Sequence, residues 1–362
     1  MAAVQLLKDV VNSLTAPEIF ITLAAVLFFV SLRVKAVWKP RAALTLGLAS
    51  VAFLSVSMLD PNFAKIVKKP DNVPIVAMLF LVGFFVWLSM YQAHRNDERL
   101  ARGEKPLEAT GGEEQKTWVW PDLVYTELVC MILASIILVA WGMAFHAPIE
   151  EAANPARTPN PSKAPWYFLG LQEMLVYYDP WLAGVVFPSL IIVGLMAIPY
   201  IDTNPRGNGY FTFRERKVEI TIFMFGFLIQ WVLLVVLGTF LRGPNWNFFG
   251  PYEYWDLHKL LALNNVNLSE YIWIKWTSFG FPANMIVREL PGILAVLFYV
   301  VALPGILART WLKRYFEKMG PWRFAVFVML LLMQIALPIK MVLRWLFNLK
   351  YIVAMPEIFF NI

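Results

Sequence analysis

Eight long runs of apolar residues constrain the fold of this chain more than any other feature. A helix needs about 20 mostly apolar residues to cross a bilayer, and backbone groups inside lipid must find partners within the same helix. The runs cover residues 17–35, 41–59, 74–93, 123–145, 181–200, 217–240, 289–309 and 322–347. The sequence therefore predicts an all-α fold, an integral membrane helical bundle with about eight transmembrane helices.

Composition agrees with a membrane protein and argues against nucleic-acid binding. The 362 residues are 59% hydrophobic and 15% charged, whereas soluble domains carry about 25% charged residues. The net charge is +6, but the basic residues form no clustered stripe of the kind that tracks phosphates. Lys8 and Asp9 precede the first apolar run and no cleavage site follows it, so we expect no secretory signal peptide.

The basic residues alternate between loops, which predicts an orientation. Four loops hold 18 of the 31 Lys and Arg residues and are expected to be cytoplasmic. These loops are residues 33–41, 94–118, 201–217 and 309–323. Both termini and the loops 146–180 and 241–288 then lie on the outer, positive side. Lys65, Lys68 and Lys69 go against this pattern.

The most polar stretch, residues 94–118, predicts a cytoplasmic linker that ends near the turn-prone pair Gly111 and Gly112. It separates an N-terminal extension of three spans, residues 1–93, from the rest of the chain. These three spans have almost no ionisable residue in their middles. We expect them to pack against partner subunits or lipid.

The chain has few residues that bind metals. Its histidines are His94, His146 and His258, and its single cysteine is Cys130. None of the histidines lies at mid-membrane, and no two are three or four residues apart on a helix. We therefore predict that this chain ligates no metal and no haem, and that any redox centre belongs to partner chains.

The loop between spans four and five changes character along its length. Four prolines between positions 155 and 165 predict an extended segment. The run WYFLGLQEMLVYY then predicts a short interfacial helix, on which Trp166 and Glu173 share a face. An aromatic belt at the membrane surface also explains the Trp and Tyr residues. Glu173 fits that explanation poorly, since apolar residues surround it.

The stretches NPARTPNPSKAPWYFL, GLQEMLVYYDPW and IPYIDTNP resemble the C-terminal half of cytochrome b, which some cytochrome bc complexes carry as a separate subunit IV. Residues 119–240 match that pattern in order. Residues 241–362 are predicted to form a long outer loop with two further spans. For residues 1–100 and 245–362, only the number of helices supports the resemblance.

The resemblance implies a function. In the family, this loop forms a quinol-oxidation site on the positive side of the membrane, and here Pro165, Trp166, Tyr167 and Phe168 are the matching residues. It implies a respiratory or photosynthetic quinol:cytochrome c oxidoreductase in a bacterial cytoplasmic membrane. The expected partners are a haem-binding cytochrome b N-terminal-half subunit, a Rieske iron–sulfur protein with a 2Fe-2S cluster, a cytochrome c subunit and lipids, in a dimeric complex. Haem b is expected in the partner, and quinol at the interface.

The sequence departs from the family at one position. The family has a glutamate before the Trp-Tyr pair, where this chain has Pro165. Quinol oxidation needs a proton acceptor, and a carboxylate in an apolar pocket suits that task. We therefore predict that Glu173 accepts a proton, helped by Tyr167. The alternative is a surface carboxylate paired with Lys163.

Three further features have open interpretations. Glu127 resembles an acidic residue of the quinone-reduction pocket on the cytoplasmic side, although Asp122 near it can simply cap the helix. The outer loop 241–288 is predicted to be ordered, either as a docking surface or as a lid over its own bundle. Lys340 and Arg344 share a helix face, from which they can reach lipid phosphates or a partner carboxylate.

Two rival functions remain at this point. A transporter or ion-translocating subunit would show broken helices or charges at mid-span, and neither is found. A purely structural subunit of a respiratory complex is the other alternative.

Overall fold

The computed structural model describes residues 2–110, 117–145, 152–204 and 211–362. His146, Gly111, Gly112 and parts of the loops that begin at residues 146 and 201 lie outside these ranges. Helices dominate the described residues. They are α1 Ala2–Leu14, α2 Pro17–Arg33, α3 Pro40–Ser57, α4 Pro61–Val67, α5 Asn72–Ala101, α6 Val119–Ala144, α7 Leu169–Met174, α8 Leu182–Ile201, α9 Lys217–Leu241, α10 Leu268–Glu270, α11 Met285–Arg309 and α12 Lys313–Phe347.

The predicted membrane bundle is confirmed. Seven described helices are long and apolar enough to cross a bilayer, and the bent pair α1–α2 brings the number to eight. The two halves of that pair meet at 78°, just before Pro17 begins α2. In α12, Gly320 has a φ of 74° and is followed by Pro321, so the apolar part of α12 starts where the sequence predicted a span.

The central helix of the bundle is α9. Its residues Leu234 and Leu237 pack in one core cluster with Ile21 of α2 and with Met174 of α7. Towards the other end of α9, Met224 packs in a second cluster with residues of α2 and α5. The helix therefore links the N-terminal spans to the loop that carries the sequence motif.

Two amide side chains join α9 to α12 inside the membrane. Gln230 donates from Nε2 to the Gln334 carbonyl oxygen at 2.6 Å, and Gln334 donates from Nε2 to the Ile222 carbonyl oxygen at 2.9 Å. Interhelical hydrogen bonds of this kind stabilise membrane helices by roughly 1 kcal/mol each. Both side chains therefore have a structural role.

At one end of the bundle, α1 contacts the loop 241–288. The Asn12 Oδ1 atom accepts a hydrogen bond from the Tyr252 backbone N–H at 3.0 Å, and Lys8 pairs with Asp60 at 2.6 Å. The Tyr252 hydroxyl lies 2.7 Å from the Ser57 hydroxyl. The N-terminal helices thus share this end with the loop that follows α9.

At the opposite end, α5 contacts the segment that precedes α9. Asn96 donates to the Phe211 carbonyl oxygen at 3.0 Å, and Asp97 accepts from the Arg214 backbone N–H at 3.1 Å. The first eight residues of the predicted linker, 94–101, are helical and extend α5. Hydropathy missed this extension because the added turns are polar yet rich in good helix formers.

Helix α6 differs from the other spans. None of its residues is buried by any other described part of the chain. Nearly all of its apolar side chains are exposed, among them Ile136, Ile137 and Leu138. It is therefore a complete membrane span with no packing partner among the described residues.

Candidate functional site

The predicted interfacial helix is present between α6 and α8. Residues Trp166–Phe168 form one tight turn and continue directly into α7. Two glycines allow α7 to lie against α9: a Cβ atom at Gly170 would be 3.3 Å from Val235, and one at Gly238 would be 2.9 Å from the Leu169 carbonyl oxygen. Close backbone approach thus fixes α7 against the last turns of α9.

Glu173 is fully buried on the α9 side of α7. Its Oε1 accepts from Arg242 Nη2 at 2.6 Å and its Oε2 from Arg242 Nε at 2.9 Å. The indole Nε1 of Trp246 also donates to Oε2, at 3.2 Å. Burial opposes the charged form of Arg242, but the carboxylate outweighs it and raises the pKa of Arg242. The site therefore contains a bidentate, charge-assisted pair.

This geometry corrects two expectations about Glu173. The alternative of a surface carboxylate paired with Lys163 is wrong, since Glu173 is buried and its partner is Arg242. Trp166 remains 38% exposed, so Trp166 and Glu173 do not share an environment. The proposed proton transfer to Glu173 stays a prediction.

The extended loop before the turn is tied to α7 by one side chain. Gln172 Oε1 accepts from the Ala164 backbone N–H at 2.9 Å, and its Nε2 donates to the Ser162 carbonyl oxygen at 2.9 Å. Earlier in the loop, Asn160 forms two hydrogen bonds with Asn245 across the chain. These contacts hold the loop along α7 and against the segment after α9.

Lys163 connects the loop to α9 itself. Its Nζ donates to the carbonyl oxygen of buried Thr239 at 2.9 Å. It also lies 5.0 Å from the ring centroid of Trp255. Burial lowers the pKa of Lys163 to about 7, and the positive charges of Lys69 and Arg242 act in the same direction.

A groove of about 530 Å³ runs beside α7. Phe168, Leu171 and Leu175 form its apolar side, and the loop forms the other. Its lining residues are Ser162, Lys163, Ala164, Phe168, Leu171, Gln172, Leu175, Pro180 and Gly184. Its volume suits one small ring-bearing ligand.

The predicted aromatic residues adjoin this groove, but only Phe168 lines it. Trp166, Tyr167 and Phe168 are 38%, 45% and 49% exposed, and the last two rings stand 4.6 Å apart. Pro165 precedes the turn, and its carbonyl oxygen accepts from the Phe168 backbone N–H at 2.8 Å. These four residues form an exposed apolar rim.

The C-terminal tail, residues 348–362, holds the end of α7. Lys350 donates to the carbonyl oxygens of Leu175 and Val176 at 2.7 Å and 3.1 Å. Lys340 is 2% exposed and donates to the Lys350 carbonyl oxygen at 2.6 Å. Burial lowers the pKa of Lys350 to about 8, with the positive charge of Arg344 acting in the same direction.

The tail also corrects the expected lipid or carboxylate contacts of Lys340 and Arg344. Arg344 donates to the carbonyl oxygens of Asn264 and Asn348 at 3.1 Å and 2.9 Å, and Lys340 is bound to Lys350 as above. Both side chains thus hold backbone segments together. A helix face predicts which side chains neighbour each other, but not the carbonyl groups that loops bring to them.

Glu127 lies elsewhere. It is exposed in the first turn of α6, roughly 25 Å of helix away from the end that leads to the loop. The structure does not bring it to the groove. Its expected place in a second, cytoplasmic-side quinone site stays a prediction.

Sequence reasoning missed Arg242, Trp246 and Gln172. Arg242 lies two residues after the end of the apolar run 217–240, so a cation at the end of a span is the available signal. Its partner Glu173 is 69 residues away, and no periodic pattern connects positions so distant. Among the described residues, no group of three or more His, Cys, Asp and Glu side chains is arranged to hold a metal ion.

The fold and the site define a multi-pass α-helical membrane protein in which an interfacial helix and an extended loop form a groove at one end of the bundle. Residues 152–253 match the family described as cytochrome b(C-terminal)/b6/petD. This range contains the loop, α7, α8, α9 and Arg242. The predicted resemblance is confirmed: the chain is a membrane protein that resembles the C-terminal half of cytochrome b.

Two curated relatives agree with this assignment. The chain is 27% identical over 189 residues to cytochrome b of Saccharomyces cerevisiae, an alignment that covers 51% of this chain and 47% of the yeast protein. Cytochrome b of Saccharomyces paradoxus matches with the same identity and coverage. The chain therefore spans about half the length of these relatives. No solved structure matches it.

Proposed function

We propose that this chain is a haem-free membrane subunit of a cytochrome bc-type quinol:cytochrome c oxidoreductase, and that it forms part of the positive-side quinol-oxidation site. One observation carries the proposal. Within the region that matches the cytochrome b family, α7 and its loop are pinned to α9 beside a groove with an apolar rim. A flat, largely apolar ring with polar edges fits such a groove.

In this proposal, Pro165, Trp166, Tyr167 and Phe168 contact the quinol ring. Phe168 lines the groove, and the other three residues extend its apolar rim. Their exposed rings match a role at an interface that partner chains complete. Glu173 is proposed as a positioning residue rather than as the proton acceptor predicted from the sequence, because both of its oxygens already accept hydrogen bonds from Arg242. The ion pair holds α7 at a fixed distance from α9.

The proposed partners supply the redox groups. Haem b and the 2Fe-2S cluster belong to a haem-binding cytochrome b N-terminal-half subunit and to a Rieske protein, with a cytochrome c subunit as the next carrier. The complex is proposed to be dimeric and to lie in a bacterial cytoplasmic membrane. Both termini are proposed to lie on the positive side, together with the groove.

Native purification tests this proposal. The chain is tagged, isolated from membranes in mild detergent and assayed for quinol-dependent reduction of cytochrome c. We expect a b-type haem spectrum, a Rieske signal and quinol oxidation that co-purify with the tag. A colourless single protein without such activity contradicts the proposal. A complex that oxidises quinol equally well after substitution of Tyr167 and Phe168 by alanine indicates a purely structural subunit.

A further inference from the structure

The groove contains a single ionisable side chain among its described lining residues. Phe168, Leu171, Leu175 and Pro180 are apolar, and the amide of Gln172 is engaged on both of its ends. Only Lys163 can gain or lose a proton at neutral pH. The family's motif glutamate is absent, since Pro165 stands at its position.

The contacts of Lys163 leave its charge without direct neutralisation. Among the described residues, no carboxylate oxygen lies within ion-pair distance of its Nζ, whose recorded partners are the Thr239 carbonyl oxygen and the Trp255 ring. The charged groups around it are Lys69 near the start of α5, Arg242 at the end of α9 and Glu173 on α7. Glu173 is itself neutralised by Arg242.

We propose that Lys163 is the proton acceptor for a quinol bound in this groove, an inference that rests on the proposed function. Quinol oxidation releases two electrons and two protons. One hydroxyl O–H bond breaks and its proton moves to the uncharged amine, which becomes an ammonium group and later returns the proton to outer water. The two electrons pass to one-electron acceptors of the partner chains, an iron–sulfur cluster and a b haem. The second proton leaves by another route.

The position of Lys163 suits this role. It precedes Pro165 by two residues and lies on the loop side of the groove. The hydrogen bond to Thr239 fixes the amine, and a neutral amine can donate one N–H there while its lone pair accepts a proton. A pKa of about 7 leaves roughly one-tenth of the amines uncharged at pH 6 and about nine-tenths at pH 8. The rate of quinol oxidation is therefore expected to rise with pH through this range.

The test compares Lys163→Arg, Lys163→Met and the control Lys65→Met, an exposed lysine on α4 at the same end of the bundle. Each is purified as the tagged complex and assayed for quinol-dependent cytochrome c reduction between pH 5.5 and pH 8.5. Arginine retains the positive charge and can donate to Thr239, but it stays protonated. We expect quinol oxidation by both Lys163 variants to be at least about tenfold slower, and its rate no longer to rise with pH near pH 7. The control is expected to keep the wild-type rate and the wild-type rise with pH.

Several outcomes would overturn the inference. If the Lys163→Arg complex has the wild-type rate and pH profile, the role of Lys163 is structural: it links the loop to Thr239. The proposed function then stays intact. A wild-type complex that does not oxidise quinol overturns the proposed function itself. Should neither variant assemble, the wild-type profile decides, since a rate that is flat between pH 6 and pH 8 excludes this acceptor.

Discussion

The carboxylate of Glu173 on α7 and the guanidinium of Arg242 at the end of α9 form a bidentate pair, with N–O distances of 2.6 Å and 2.9 Å. The pair is buried, and it joins two segments that are 69 residues apart. It lies behind the groove rather than in it. Glu173 is absent from the groove lining, whereas the neighbouring Gln172 contributes to it.

Removal of one partner of this pair is expected to be costly. Glu173→Gln leaves the buried Arg242 without a counter-charge, which costs about 3 kcal/mol of stability and lowers the melting temperature of the detergent-solubilised complex. Glu253→Gln is the control, since its partner Lys259 is partly solvated, and it should cost less than about 1 kcal/mol. Equal melting temperatures for the two variants would contradict the assignment.

A double-mutant cycle separates this pair from its surroundings. Arg242→Met alone should cost about as much as Glu173→Gln. The double variant Glu173→Gln with Arg242→Met should cost less than the sum of the two single changes, because no unpaired buried charge remains. Strict additivity of the melting data would mean that the two side chains act independently.

The close approach of α7 and α9 at Gly238 can be tested by adding one methyl group. Gly238→Ala would bring its Cβ to 2.9 Å from the Leu169 carbonyl oxygen, so α7 must shift. We expect a loss of about 1–3 kcal/mol and slower quinol oxidation. Gly47→Ala is the control, because no atom lies within 4 Å of its added Cβ. Normal stability and turnover in Gly238→Ala would show that α7 has room to move.

The contact between α1 and the outer loop is expected to restrain that loop. Asn12→Ala removes the acceptor of the Tyr252 backbone N–H and should weaken local stability by about 1 kcal/mol. Hydrogen exchange of loop residues around 252 in the intact complex should then accelerate about fivefold. Gln5→Ala is the control on the same helix, since the Gln5 side chain is exposed and donates to Asp9 of α1; it should leave exchange unchanged. Unaltered protection from exchange in Asn12→Ala would show that this contact of α1 does not restrain the loop.

The proposed orientation has a direct test. In a Cys130→Ser background, single cysteines replace Asn265 in the outer loop and Glu104 in the linker, both exposed positions. An impermeant maleimide should label Asn265→Cys in intact cells and Glu104→Cys only after permeabilisation. The reverse labelling pattern would invert the orientation and place the groove on the cytoplasmic side.

Hydropathy was sufficient to predict the helices, because a continuous apolar run has few alternatives in lipid. Each predicted span is present, and the largest differences occur where polar turns extend α5 to Ala101 and where α12 starts at Lys313. The interfacial helix was predicted from aromatic and apolar residues, and it begins at Trp166.

The site was less predictable because its contacts are long-range. The burial of Glu173 depends on Arg242 and Trp246, which only the fold brings near. The sequence suggests Lys163 as a partner of Glu173, but the acceptor of Lys163 is a backbone carbonyl oxygen on α9. A sequence motif locates such a loop; it does not specify which side chains turn inward.

The lack of packing around α6 has a consequence for how stable the unassembled subunit is in the cell. In lipid, a helix gains little by leaving hydrocarbon for another apolar surface, so a span that no other described segment covers has little to fix its tilt or rotation. A newly made chain would then contain one helix, α6, that is not packed against the rest of the bundle. Docking against a neighbouring subunit would complete the bundle, and a surplus of unassembled copies would be the form that membrane proteases remove first.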